Sequence, residues 1–263
     1  MLLDNKNAVI YGAGGTIGGA VARAFAREGA RVFLAGRSQP SLDRVAAQIA
    51  SAGGAAETAR VDVLDERAVE EHAAGVAARA GGIDISFTAI GHGDVHGTPL
   101  LEMRYEDFAR PILTAVRSQF LITSAVARQM IERRAGVILS ITATTARLAI
   151  PQVGGTGVAF DAIESLCRQW AAELGPLGIR VLWLQTTGIP EALHDTGAPA
   201  PTYGAAHPMS AEDFVGWLES KTMLDRLTTL ADVGHVAAFL ASDRAGAMTA
   251  AGLNLTCGSV PTR

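Results

Sequence analysis

Cysteine is nearly absent from this chain. Only Cys167 and Cys257 occur among 263 residues, with no Cys-x-x-Cys pair and no metal-finger spacing. That excludes a disulfide framework and fits a reducing compartment. Charge is scarce as well: 18% of residues are charged and the formal net charge is −4. Neither a nucleic acid nor an anionic membrane surface is therefore expected as a partner. The opening MLLDNKNAVIYG lacks a basic segment followed by a long apolar run and a small-residue cleavage site, and no apolar stretch has bilayer-spanning length. A soluble, cytoplasmic protein is the expectation. What is abundant is apolar surface: 49% of residues are hydrophobic and the mean hydropathy is +0.24, enough for a large core within a single α/β domain spanning 1–263.

Short apolar runs alternate with longer alanine-rich amphipathic ones. The strand candidates are 7–11, 31–35, 57–61, 83–90, 136–142, 179–185 and 252–256. Most are continuously apolar, as strands covered on both faces must be. Regular strand–helix alternation predicts a doubly wound parallel sheet of about seven strands, Rossmann-like, with helices on both faces. Gly29 reads as the stop of the first helix. The longest departure runs from about Thr186 to Leu227 and holds Pro190, Pro199, Pro201 and Pro208 with Gly197 and Gly204. Within it, Ser210 before Asp213 reads as a helix start whose apolar face is Phe214, Trp217 and Leu218. An insertion after the sixth strand lies at the carboxyl edge of the sheet, where such folds bind ligands, so a lid is expected there.

The first strand runs directly into Gly12-Ala13-Gly14-Gly15-Thr16-Ile17-Gly18 and then a helix. Glycines at such a turn let the backbone approach a pyrophosphate, and the helix N-terminus offers amide groups and a positive dipole end to the phosphates. The second strand ends in Gly36-Arg37-Ser38. An acid at that edge would bind a ribose hydroxyl and repel a 2′-phosphate; a guanidinium and a hydroxyl favour NADP(H) instead. Asp62 and Val63 after the third strand are placed for the adenine, and Gly91 after the fourth lets the chain pass close to the cofactor.

These motifs, together with AAELGPLGIRV (171–181) and FLASDRAGAMTAAGLNLTCG (239–258), resemble the short-chain dehydrogenase/reductase family over nearly the whole chain. The glycine turn departs from the family pattern: Tyr11 stands where Thr is common and Thr16 where the middle Gly is common. The resemblance implies hydride transfer with a Tyr as proton donor, a Lys four residues on that lowers its pKa, a Ser that orients the substrate oxygen, and an Asn in the preceding helix. Four-residue spacing puts Tyr and Lys on one helical face. Counting back from 171–174, the Tyr position is Thr156, the Lys position Phe160 and the Ser position Ala143; the Asn position is Ala115. The Asn-Asn-Ala-Gly after the fourth strand reads Thr88-Ala89-Ile90-Gly91, and the Pro-Gly after the sixth reads Thr186-Thr187. A shifted register does not rescue the pair. The tyrosines are Tyr11, Tyr105 and Tyr203, and no lysine lies between Lys6 and Lys221.

Replacement chemistry has few candidates. Thr156 keeps a hydroxyl that can orient a carbonyl but is a poor proton donor. Thr142, Thr144 and Thr145 surround the Ser position. His92-Gly93-Asp94-Val95-His96 follows the fourth strand as a titratable cluster able to supply a general acid. Metal binding by His92, Asp94 and His96 would need a fourth ligand, and no metal is expected. His194 and His207 could face the pocket from the lid. Phe160 offers a flat apolar wall to a nicotinamide or substrate. Ala159, Ile163, Leu166, Trp170 and Leu174 recur at helical spacing as core or subunit seam; the resemblance implies a homo-oligomer, a tetramer or dimer. The leading expectation is a divergent NADP(H)-dependent oxidoreductase for a small carbonyl or related unsaturated compound. The alternatives are an inactive NADP(H)-binding sensor or interaction protein, and a non-redox isomerase or lyase on the same fold.

Overall fold

The computed structural model describes residues 1–195 and 210–261. Seven strands pair in parallel: β1 (Asn7–Tyr11), β2 (Arg31–Gly36), β3 (Ala56–Arg60), β4 (Ile85–Thr88), β5 (Gly136–Ala143), β6 (Ile179–Thr186) and β7 (Ala251–Leu255). Their order is β3-β2-β1-β4-β5-β6-β7. The chain leaves β1 toward β2 and β3, then returns to place β4 on the other side of β1. That reversal opens a crevice at the carboxyl ends of β1 and β4, where Tyr11 pairs with Ala35 and Thr88.

Strand alternation sends side chains to two separate cores. Toward one face, Ala8, Ile10, Leu34 and Phe87 pack with Val21 and Phe25 of α1 (Thr16–Arg27), Leu42 and Ile49 of α2 (Gln39–Ser51), and Val233 and Leu240 of α8 (Leu230–Ala241). Toward the other, Val9, Phe33, Ile138 and Val181 meet Val69 and Val76 of α3 (Glu66–Ala80), Ile122 and Val126 of α4 (Tyr105–Ile131), and Ile163 and Cys167 of α5 (Thr156–Leu174). Two covered faces explain why the central strands are apolar throughout.

Local signals act where the sequence places them. α1 ends at Arg27, and Gly29 takes φ +94° in the turn that follows. Beyond β6 come α6 (Pro190–Asp195) and α7 (Ala211–Glu219). Ser210 caps α7 by accepting from the Asp213 amide at 3.0 Å, and Phe214 of its apolar face is buried and stacked on Trp217 at 6.0 Å. Thr229 and Asp232 form a reciprocal capping box at α8. Residues 196–209, with Gly197, Pro199, Pro201, Gly204, His207 and Pro208, lie outside the described residues.

Every strand but the first differs from the sequence reading by one or two residues at an end. The fourth strand covers Ile85–Thr88 rather than 83–90, and the third begins one residue earlier, at Ala56. Ile83 is buried in the core without being a strand residue. After Thr88, the Ala89 amide makes one last ladder bond, to Tyr11 O at 2.9 Å. There the chain passes so close to Gly12 that a Cβ at that position would meet the Ala89 carbonyl.

Candidate active site

The turn between β1 and α1 is built by close backbone approach. Gly12 takes φ +86°, and a Cβ there would overlap the carbonyl of Ala89; a Cβ on Gly18 would overlap the carbonyl of Gly12. Only glycine fits both places. Gly15 is the N-cap of α1, yet no side chain caps the helix and no acid lies in its first turn. The positive helix end therefore faces the crevice without a capping carboxylate.

The crevice has two lobes that share Gly15, Ala89, Ile90 and Gly91. The first encloses about 280 Å³ and gathers Gly12, Gly14, Gly15, Arg37, Ser38, Asp62, Val63 and Gly91 from four separate segments. Arg37 is exposed and makes no ion pair among the described residues. The hydroxyls of Ser38 and Ser41 lie 3.0 Å apart beside it. Asp62 is held in place by the Leu64 amide, which donates to its Oδ1 at 3.0 Å. A cradle of amides, a guanidinium and hydroxyls can hold the phosphates of a nicotinamide dinucleotide. Sequence reasoning missed Ser41, Leu64 and Thr114 of this lobe; Ser41 was findable, since it follows Ser38 by one helical turn at the start of α2.

The second lobe, about 340 Å³, takes Gly15, Thr16, Ile17 and Gly18 as one wall and Phe160 and Ile163 of α5 as another. His92 and Asp94 line it, with Ser118 and Gln119 of α4. The segment 92–96 lies across both vacated positions of α5. At the Tyr position, the buried Thr156 Oγ1 is 2.9 Å from Asp94 Oδ1 and 2.9 Å from His96 Nε2. A hydroxyl has one proton, so Thr156 donates to the carboxylate and accepts from the imidazole N–H. At the Lys position, the His92 ring stands edge-on to Phe160 with centroids 5.6 Å apart. Burial lowers the pKa of both imidazoles, and the charge of Asp94 opposes the shift in each. Both rings are thus neutral near pH 7. Ala115, at the Asn position, is buried in the core, and Ala143, at the Ser position, ends β5.

The other threonines separate by place. Thr144 is buried at the start of a short 3-10 turn, 144–146, and borders neither lobe. Thr142 turns away from the crevice and donates to Glu164 Oε1 at 3.0 Å. Glu164 is wholly buried; Gln185 donates to the same oxygen at 2.9 Å, and Arg147 pairs with the other at 3.2 Å. That carboxylate was legible only as a Glu on the core face of an apolar helix. Gln119 spans from α4 to β5, donating to Ser140 Oγ at 2.7 Å. Burial pushes the neighbouring Cys167 thiol up to about 12, which makes it inert. Among the described residues, no group of three His, Cys, Asp or Glu side chains is arranged to hold a metal, and no helix is long and apolar enough to cross a membrane.

A family model described as Enoyl-(Acyl carrier protein) reductase matches residues 12–259. Gluconate 5-dehydrogenase of Gluconobacter oxydans is 31% identical over 244 residues, 91% of this chain and 89% of that protein. D-threitol dehydrogenase of Mycolicibacterium smegmatis is 28% identical over 251 residues, 95% and 91% of the two chains. A crystal structure of NAD+-bound xylitol dehydrogenase superposes with a TM-score of 0.88 at 25% identity, covering 97% of this chain and 99% of the other.

Proposed function

The chain belongs to the short-chain dehydrogenase/reductase family of oxidoreductases, and on that premise we propose a divergent NADP(H)-dependent oxidoreductase acting on a small carbonyl or related unsaturated compound. The observation that carries it is the pairing of an uncapped, glycine-built helix end with Arg37, Ser38 and Ser41 in one lobe. Gly12 and Gly18 let the turn fold tightly on its own backbone, Gly12, Gly14 and Gly15 line the first lobe and Gly15 and Gly18 the second, and the amides of the α1 end bind the pyrophosphate. Arg37 meets the 2′-phosphate. Asp62 and Val63 border the adenine. Phe160 and Ile17 form apolar walls of the second lobe, which keep water from a reacting carbon. When bound, the dinucleotide supplies or accepts the hydride.

Proton handling falls to the 92–96 segment in place of Tyr and Lys. His92 is the titratable ring that borders the second lobe; Thr156 is not among the described residues lining it, and its hydroxyl anchors Asp94 at the edge. A neutral His92 suits proton acceptance better than donation near pH 7. Self-association is proposed through α4 and α5, where Leu113, Val116 and Phe120 follow one exposed helical face and Phe120 packs on Trp170 at 5.6 Å. The segment after β6 is proposed as the lid: Ala192 of α6 already borders the second lobe. One observation favours a second reading, an NADP(H)-binding sensor without turnover: Thr156, Asp94 and His96 satisfy one another rather than a substrate.

Titration of NADPH and NADH by nucleotide fluorescence tests the proposal, repeated in Arg37→Asp. Preference for NADPH in the wild type, lost by tenfold or more in the variant, supports it; each tenfold corresponds to about 1.4 kcal/mol. Equal binding of both nucleotides in both proteins rejects the NADP assignment. Tight NADPH binding with no oxidation by any unsaturated compound favours the sensor.

A further inference from the structure

Asp94 is a carboxylate beside the position at which the family resemblance places a proton donor. It lines the second lobe and receives the Thr156 hydroxyl at the vacated Tyr position. Among the described residues, no Lys or Arg forms an ion pair with it; the neighbouring Arg110 is paired with Asp107. Among the described residues, no other residue lining that lobe carries a formal charge once the imidazole of His92 is neutral. Thr88 borders the same space, almost fully buried, with a hydroxyl that has no hydrogen-bond partner among the described residues. Among the described residues, the lobe thus combines an exposed carboxylate without an ion-pair partner, a buried hydroxyl without a hydrogen-bond partner, and the apolar surfaces of Phe160, Ile163 and Ile141.

Such a carboxylate, although open to water on one side, disfavours reduction of a neutral carbonyl relative to reduction of a cation. Hydride addition to C=O builds negative charge on oxygen, and a neighbouring carboxylate raises the energy of that charge. The same carboxylate favours a cation. Resting on the oxidoreductase reading above, we propose that the substrate of this site is an iminium, a C=N group carrying positive charge on nitrogen, held by Asp94. Addition of a hydride, taken from the reduced dinucleotide and leaving it oxidised, forms the new C–H bond at the iminium carbon. The C=N π pair moves onto nitrogen, giving a neutral amine. The charge balances without any proton. Loss of Tyr, Lys, Ser and Asn from positions 156, 160, 143 and 115 then removes groups that this reaction does not use. The Thr156 hydroxyl and the His96 ring become positioning residues that fix the Asp94 carboxylate at the lobe.

The test is binding as well as turnover, with N-methyl-dihydroisoquinolinium as a permanently cationic probe and tetralone as its neutral counterpart. Both are titrated calorimetrically into the wild-type protein loaded with oxidised NADP, and into Asp94→Asn loaded in the same way. The expected result is at least tenfold tighter binding of the cation by the wild type, with that preference lost in Asp94→Asn. NADPH consumption is expected with the cation and not with tetralone. Equal affinities for the two probes, or a cation preference that survives in Asp94→Asn, overturns the inference while leaving the oxidoreductase reading intact. Failure of the wild type to bind NADPH at all removes the reading beneath it and the inference together.

Discussion

Replacing Thr156 by valine keeps the shape of the side chain and removes only the hydroxyl. In the wild type that hydroxyl is buried and joins Asp94 and His96 through two contacts of 2.9 Å. The Asp94 carboxylate is exposed, so water replaces much of what it loses, and that half is worth about 0.5–1 kcal/mol. The His96 ring is half-buried and keeps an N–H with poorer access to water, a loss of about 1 kcal/mol. A net destabilisation of about 2 kcal/mol follows, or a Tm lower by about 4–8 °C for a chain of this size. Scanning calorimetry measures the shift, and hydrogen exchange of the amides 92–96 should quicken more than that of α5. An unchanged Tm with unchanged exchange at 92–96 would refute the assignment of Thr156 as the anchor of that segment.

Three further outcomes are open to measurement. Gly12→Ala forces a Cβ into the Ala89 carbonyl at φ +86°, so the urea midpoint should fall by the equivalent of about 2–5 kcal/mol; an unmoved midpoint argues against the close turn. His72 is half-buried beside Tyr11, whose hydroxyl is 3.1 Å from its Nδ1, and desolvation lowers its pKa from the ordinary 6.5 to about 4. Because the folded value lies below the unfolded one, its contribution is complete above about pH 6.5 and is lost as pH falls toward 4, by at most about 3 kcal/mol. His72→Phe should flatten that part of the stability–pH curve, and an unaltered slope would dismiss the residue as its source. Phe120→Asp places a charge on the exposed apolar face of α4 and should shift the protein to a smaller species in sedimentation velocity; an unchanged oligomer, or a monomeric wild type, speaks against that surface.

The fold was open to sequence reasoning because its determinants are local and repeated. Continuous apolar runs mark strands covered on both faces, and all seven strands stand within two residues of their expected ends. The glycine turn was legible for a related reason: Gly12 and Gly18 report backbone contacts that any side chain would block. The reactive lobe was harder. Thr156, His92, Asp94 and His96 were all visible as residues, but their union depends on how a loop after β4 folds back over a helix more than fifty residues later. No periodicity encodes such a contact. Glu164 was similarly hidden, since its partners Thr142, Arg147 and Gln185 come from three different elements. Spacing alone could show that Tyr and Lys were missing; only the tertiary arrangement shows what lies across their places.

A crystal structure of the protein grown with NADPH tests the central claim most directly. The pyrophosphate is expected over residues 12–18, the 2′-phosphate beside Arg37, and the Asp94–Thr156 hydrogen bond intact against the second lobe. A crevice that stays empty at saturating NADPH, or one filled by side chains of the 12–18 turn, would contradict it.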